Sequence, residues 1–515
     1  MNQIKDLTNG NIFSQILKLA IPIIATSFVQ MAYNMTDMAW LGHVGSSTVS
    51  AVGTAAYLTW LGQSLMYITK TGVEVGISQS IGRKDFSGAI KFAQNAVTLS
   101  LLISGGYALV IALFATPIVD LFNLNSEFVK QTAVDYLHIV ACGMIFTYTN
   151  LTFSGIYIGA GNTRTPFWVN AFGLLMNMIL DPLLIFGWGD IPAMGAEGAA
   201  IATVGSQIAV FALFLYFLLR KRNPLGTTRY IGRLRKSFTN PIFKVGGPVA
   251  LQSAFFALFA IALARVMIDI AGGDEIPLSV QSIGAQIEAL SWMTAIGFST
   301  ALGSFTGQNY GAGQWQRIQK GFFITVGIAA TVGLISTLLF LFAGTQIFGL
   351  FLNAREQHVI DLGVVYLIIL GVSQIFMCIE IASTGAFNGI GKAIPPAIIG
   401  IAGNFLRIPM AFLLSYGLVE WLPDFTRWIQ SDNIPVTGVW WGMTLTSILK
   451  GIVLFVWFFF ILFRHPNNDH PLPFQNIWIK FIPSRIRQQT IVSKRMTSQT
   501  TSLNSEENNK KPGNQ

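Results

Sequence analysis

Apolar residues in this chain seldom alternate with polar ones. They come in long blocks separated by short polar, glycine-rich joints. A block needs about 20 residues to carry a helix across a bilayer. The pattern predicts twelve such helices, over roughly 12–41, 48–81, 89–115, 131–158, 166–187, 196–219, 241–270, 278–306, 320–345, 359–388, 395–418 and 437–463. Several exceed the minimum, so tilting, bending or projection beyond the lipid is expected. The joints also repeat. Ser154-Gly155-Ile156-Tyr157-Ile158-Gly159-Ala160-Gly161-Asn162-Thr163-Arg164-Thr165-Pro166 returns as Thr384-Gly385-Ala386-Phe387-Asn388-Gly389-Ile390-Gly391-Lys392-Ala393-Ile394-Pro395-Pro396, with three glycines and a proline recurring 230 residues later. The same register links 117–122 to 346–351 and, with a few residues of slip, 16–22 to 242–248. Residues 1–219 are therefore expected to form one six-helix lobe and 241–463 a second, joined by a basic cytoplasmic linker, 220–240. Six is even, so both lobes enter the membrane in the same sense and are related by a pseudo-twofold axis along the membrane normal. The predicted fold class is an all-α integral membrane protein with twelve transmembrane helices in two six-helix bundles.

Composition changes beyond Phe463. Residues 464–515 read as a cytoplasmic tail, with 476–487 suited to the inner leaflet surface and the Ser/Thr/Asn-rich remainder disordered. Over the whole chain 52% of residues are hydrophobic and 11% charged, against about 25% charge in a soluble domain. The first apolar block is too long for a signal peptide and lacks an Ala-x-Ala exit. With the amino terminus inside, thirteen Lys and Arg fall in inner loops (for example Arg83, Lys84, Arg164, Arg220, Lys221, Arg222 and Lys392) and three outside, Lys130, Arg355 and Arg427. That bias places both termini in the cytoplasm. It also accounts for the net charge of +9 without a nucleic-acid partner. Cys142 and Cys378 lie within apolar spans and are read as ordinary core residues. Gly389-Ile390-Gly391-Lys392-Ala393 has neither the spacing nor the hydroxyl of a phosphate-binding loop. Any uphill transport must therefore draw on an ion gradient or a separate partner, and no cofactor is called for.

A charge inside a bilayer costs a few kcal/mol or more, so each one needs a reason. Asp37 falls five residues before Gly42, Asp181 six before Gly187, and Thr203 eight after Gly195. At about 1.5 Å per residue, all three lie roughly 7–12 Å below the outer ends of their helices. Asn177 is one turn from Asp181 on the same face, and Pro182, lacking an amide hydrogen, frees the carbonyl of Met178. Such oxygen ligands suit a hard cation such as Na⁺; the same crowded carboxylates could instead carry a proton. The second half does not repeat the arrangement. Counterparts of Asp37 fall near Ala262–Ala264, and the span-5 counterpart reads Asn404-Phe405-Leu406-Arg407-Ile408-Pro409, with arginine near where the acid would be. Glu288 and Glu380 are the candidates there for attracting a cationic substrate. Lys450 is a candidate partner for one of them, while Lys70/Glu74 and Arg265/Asp269 read as self-neutralising pairs one turn apart.

These residues resemble the multidrug and toxic compound extrusion (MATE) family over essentially all of 1–463. The resemblance rests on Lys5-Asp6-Leu7-Thr8-Asn9-Gly10, Tyr33-Asn34-Met35-Thr36-Asp37-Met38-Ala39-Trp40-Leu41-Gly42, the twin Gly-x-Gly loops, the stretch 195–203 and Gly307-Gln308-Asn309-Tyr310-Gly311-Ala312-Gly313. It implies two bundles around a central cavity that opens alternately to either side. It further implies a plasma-membrane antiporter, not an enzyme, that acts as a monomer and exports organic cations and amphiphiles in exchange for H⁺ or Na⁺. The family's first-lobe ion site falls on Asp37, Asn177, Asp181 and Thr203, and span 1 is implied to bend near Pro22. Span 7 carries Gln252 and phenylalanines where some members have an acid, and Glu380 does not align clearly with the family acid on span 10. Both departures argue against a second-lobe Na⁺ site. The main alternative is a lipid-linked glycan flippase of the same superfamily, which needs a strongly cationic cavity. Gly187-Trp188-Gly189-Asp190 matches an intramembrane-protease pattern, but its partner Tyr-Asp is absent.

Overall fold

The computed structural model describes residues 4–120, 122, 126–190, 192–220, 224–227, 229–350, 357–417 and 435–464. The segment 476–487 expected at the leaflet surface and the remainder of the tail expected to be disordered lie outside the described residues. All regular structure among the described residues is helical: α1 (Ile12–Val44), α2 (Ser46–Gly82), α3 (Phe86–Asp120), α4 (Glu127–Gly159), α5 (Arg164–Ile185), α6 (Gly195–Leu219), α7 (Lys236–Ile270), α8 (Ile276–Gly311), α9 (Trp315–Gly349), α10 (Gln357–Gly371), α11 (Gln374–Gly389), α12 (Ile394–Phe412), which ends in a π-helical turn, Leu413–Gly417, and α13 (Thr437–Arg464).

Twelve helical segments match the twelve predicted blocks once α10 and α11 are taken together. That span is broken, with a bend of 51° between the pieces. The turn tightens at Ser373, whose N–H and hydroxyl both bond the Leu370 carbonyl. Among the described residues, nine helices are long and apolar enough to cross a membrane, and the bent pair makes a tenth. The two remaining helices, α2 and α8, have the length but are too polar. Their polar residues face protein instead of lipid: α2 packs on α3, α4, α7 and α8, and α8 on α1, α2, α9 and α11. Ser78 and Ser80 of α2 and Ser304, Thr306, Gln308 and Asn309 of α8 are buried there. By contrast α3 presents Leu102, Leu109, Val110, Leu113 and Phe114 outward, as a lipid-facing helix should. Cys378 is buried as expected, whereas Cys142 is exposed on the outer face of α4.

The duplication is visible atom by atom. After α4, Gly161 turns at φ +79° and after α11 Gly391 turns at φ +77°. In both turns the amide two beyond the helix reaches back three residues (Gly161 to Ile158, Gly391 to Asn388, each 2.8 Å), and the next reaches back five (Asn162 to Tyr157, Lys392 to Phe387, each 2.9 Å). This is the glycine-terminated helix end that L-residues strain to adopt. Ahead of each turn a pair of glycines lets backbones meet. A Cβ on Gly155 or Gly159 would lie 2.6 Å from the carbonyl oxygen of Lys70 or Glu74 of α2; one on Gly389 would lie 2.6 Å from that of Gly303 of α8. The chain between α6 and α7 is tied to α3: the Gly232 N–H donates to Thr98 Oγ1 (3.1 Å), the Arg235 N–H to Asn95 Oδ1 (2.7 Å) and Gln94 Nε2 to the Arg229 carbonyl (3.0 Å).

Candidate functional site

Helices α1, α5 and α6 pack on one another and bring the first-half polar residues together. Asn177 Nδ2 donates to Asp181 Oδ1 at 2.8 Å, the i,i+4 contact that their spacing dictates, and both residues are buried. Asp37, on α1, is half-buried and lies close enough to Asp181 for their charges to repel. One turn before Asp37, Tyr33 places its hydroxyl 3.4 Å from Thr203 Oγ1 of α6. Asp37 Oδ1 and Asp181 Oδ2 are buried and accept no hydrogen bond from the described residues. A buried carboxylate oxygen left this way is costly. The cluster thus offers two carboxylates, a side-chain amide and two hydroxyls around orphaned acceptors, a donor set that fits a proton or a hard monovalent cation.

Two members were not singled out from the sequence. Tyr33 is visible in retrospect as the i−4 neighbour of Asp37. Tyr136, on α4, feels the charge of both acids and packs beside Leu41, Ile185 and Ala199; its place comes from packing between distant helices and has no local signal.

The second-half acids each have partners. Glu288 of α8 accepts from Gln374 Nε2 at 2.7 Å and from the Tyr366 hydroxyl at 3.3 Å, and Gln374 Oε1 accepts from the Ser291 hydroxyl at 2.6 Å. The break between α10 and α11 sets Gln374 at the first turn of α11, within reach of Glu288. Glu380 faces Lys450 of α13 at 3.1 Å. Lys70 and Glu74 pair at 3.5 Å, and Arg265 and Asp269 at 3.4 Å with both side chains exposed. Arg407 of α12 instead donates to two hydroxyls, Thr446 Oγ1 at 3.3 Å and Ser447 Oγ at 3.1 Å.

Comparison with known proteins agrees with this architecture. The profile of the MatE family matches residues 22–183 and 248–413, well over half of the chain. A relative from Thermotoga maritima described as a probable multidrug resistance protein NorM is 28% identical over 454 residues, covering 86% of this chain and 91% of its own. A protein of Shewanella oneidensis described as an FAD transporter is 23% identical, covering 85% and 93%. The solved outward-facing structure of a multidrug resistance MATE family transporter of the MOP superfamily superposes with a TM-score of 0.78 at 23% identity, covering 90% of this chain and 98% of the other.

Proposed function

Because the chain belongs to the MatE family of membrane transporters, we propose that it is a plasma-membrane antiporter that exports organic cations and amphiphiles, taking up H⁺ or Na⁺ at Asp37, Asn177, Asp181 and Thr203. The observation that carries this reading is the pair of orphaned carboxylate oxygens, one on each of two packed helices. An entering cation completes their coordination and cancels the repulsion between Asp37 and Asp181. Ion uptake then favours whichever conformation holds the two acids closest. Only such a difference in ion affinity between two states can drive the opposite movement of a substrate. The six-helix lobes 1–219 and 241–463 are the bodies that rearrange, with both termini cytoplasmic and the protein acting as a monomer. Glu288 and Glu380 serve a substrate cavity in the second lobe.

A flippase cavity strongly cationic for pyrophosphate is not favoured. Of the four basic residues singled out within spans, Lys70, Arg265 and Lys450 are each matched to a carboxylate.

The test is efflux of a fluorescent lipophilic cation from proteoliposomes under a pH gradient alone and then a Na⁺ gradient alone, with Asp37→Asn beside the wild type. One gradient should drive wild-type efflux, and the variant should lose that response while remaining monodisperse. Wild-type rates in Asp37→Asn would remove the ion site from Asp37.

A further inference from the structure

Arg407 is the exception among those four basic residues. It lies in the span Ile394–Tyr416, thirteen residues from one end and nine from the other, which is about 20 Å and 14 Å along the axis at 1.5 Å per residue. Yet no carboxylate among the described residues lies within salt-bridge distance of it. The two nearest acids are each turned towards another group. Glu380 is held by Lys450, and Glu288 is oriented by hydrogen bonds from Gln374 and Tyr366. The guanidinium is anchored by one edge only: Nε donates to Thr446 and Nη2 to Ser447, two neutral hydroxyls that fix its plane without neutralising it. Nη1 has no hydrogen-bond partner among the described residues, so the Nη1–Nη2 edge is free to donate. The side chain is half-buried, not sealed.

A guanidinium does not shed its proton in a protein, and an ionisable residue inside a membrane marks a functional site by default; Glu380 and Glu288 lie within electrostatic reach of Arg407, but neither contacts it directly. Two features place it close to the position that the ion site occupies in the first half. Asn404 and Pro409 frame Arg407 on α12 with the same five-residue spacing as Asn177 and Pro182 on α5. Asp181 stands one residue before its proline and Arg407 two before its own, so the fork lies one position from the counterpart of the acid, Ile408. Asn404 Oδ1, one turn before Arg407, is also buried without a partner, and neighbouring Gly403 packs directly on the Lys450 stem, so that a Cβ there would lie 2.5 Å from Cδ. The free edge of Arg407, the orphaned acceptor of Asn404 and the Lys450 ammonium therefore cluster where α12 meets α13.

We propose that Arg407 receives an oxyanion, a carboxylate or phosphate, carried by an amphiphile in the second half of the transporter, with Asn404 accepting from an adjacent N–H of the same molecule. This deepens the export function proposed above and rests on it for the direction of transport, but not for binding. The planar fork suits bidentate contact with either oxyanion, which a point charge such as lysine does not reproduce. The substrates then extend from plain organic cations to zwitterionic and anionic amphiphiles.

The experiment uses the purified full-length protein in detergent and two rhodamines differing only in a free carboxylate against its ethyl ester. Binding of each is followed by fluorescence anisotropy, and the readout is the ratio of the two affinities. The wild type should prefer the carboxylate dye. Arg407→Gln should cut that preference about ten- to a hundred-fold, the range for a charge-assisted bidentate contact. Arg407→Lys, which keeps the charge and guards against a folding artefact, should restore part of it. An unchanged ratio in Arg407→Gln, equal weakening of both dyes, or no wild-type binding of either dye would overturn the proposal. Short-chain phosphatidylglycerol added as competitor separates the two sources of oxyanion. Displacement of the carboxylate dye from wild type supports a lipid headgroup at Arg407, and persistence of the dye supports a diffusible substrate. No gradient is involved, so a negative result here is distinguishable from failure of ion-driven efflux.

Discussion

Lys450 and Glu380 meet at 3.1 Å in the interior of the second half, both buried, and a pair in that setting responds unequally to single and double changes. Breaking a buried pair by removing one partner typically costs about 3–5 kcal/mol, because the survivor is left charged and uncompensated, whereas replacing both is far milder. Lys450→Met should therefore lower the unfolding temperature in detergent strongly, and Lys450→Met with Glu380→Gln should recover most of the loss. Equal destabilisation of the single and double variants would show that the two charges do not depend on each other. Residues of this kind were legible in the sequence because a charge inside an apolar block stands out: Asp37, Asp181, Glu288, Glu380, Arg407 and Lys450 were all visible. Two of their partners were too, Asn177 beside Asp181 and Lys450 for Glu380; the others were not. Gln374, Tyr366, Tyr136 and Ser447 are ordinary polar residues in helices, and only the packing of distant segments gives them a charge to face. Cys142 shows the converse limit, since a place within an apolar block does not say which side of the helix faces out.

At the scale of helices, the repeated glycines were legible as a pattern before their cause was. Gly155 and Gly159 are where α4 touches the backbone of α2, and Gly389 is where α11 touches α8. Backbone carbonyls cannot swing aside as a flexible side chain can, so even one methyl must push the helices apart. Gly159→Ala and Gly389→Ala should each destabilise by about 1–3 kcal/mol, the usual cost of overpacking, read as a lower unfolding temperature in detergent. Gly105→Ala on α3, where nothing lies within 4 Å of the added Cβ, is the control and should change little. Similar stability in all three variants would mean that α4 and α11 tolerate displacement. Two element-level features escaped the sequence. The break between α10 and α11 falls at Gly371, Val372 and Ser373, with no proline to announce it. At the end of α2 the left-handed turn is taken by Lys84, at φ +60°, where the second copy has Gly313 at φ +73°; a glycine count cannot find the first of these.

At the scale of the whole helical assembly, the repeat does more than duplicate a fold: each half closes on the other. Gln79 of α2 donates to the carbonyl of Gly389 at the end of α11 (2.9 Å), and Gln308 of α8 donates to the carbonyl of Gly159 at the end of α4 (3.4 Å). The two glutamines are 229 residues apart and the two glycines 230, so the contacts are one interaction made twice. The segment before α1 lies across the same end. The Lys5 N–H donates to the Ala160 carbonyl at 3.1 Å, the Leu7 N–H to Gln308 Oε1 at 3.0 Å, and Asn309 and Arg317 both donate to the Leu7 carbonyl at 3.1 Å. In the transport cycle proposed above, the halves must separate at this end for substrate to enter from the side that holds the termini, and the reciprocal glutamine contacts are what must break. At about 0.5–1.5 kcal/mol per hydrogen bond, with the 3.4 Å contact at the low end, the pair holds that end shut by about 1–2 kcal/mol, or about a five- to a thirty-fold bias. Gln79→Ala with Gln308→Ala should therefore shift the population towards opening at this end. Spin labels at Arg164 and Lys392, just beyond the two glycine turns, would report it as a longer and broader distance distribution by double electron–electron resonance. Each single variant should show a smaller shift, since one contact survives. An unchanged distribution in the double variant would leave closure to helix packing at α2 and α8 alone, and the paired glutamines would then be structural ends of the repeat with no hold on the cycle.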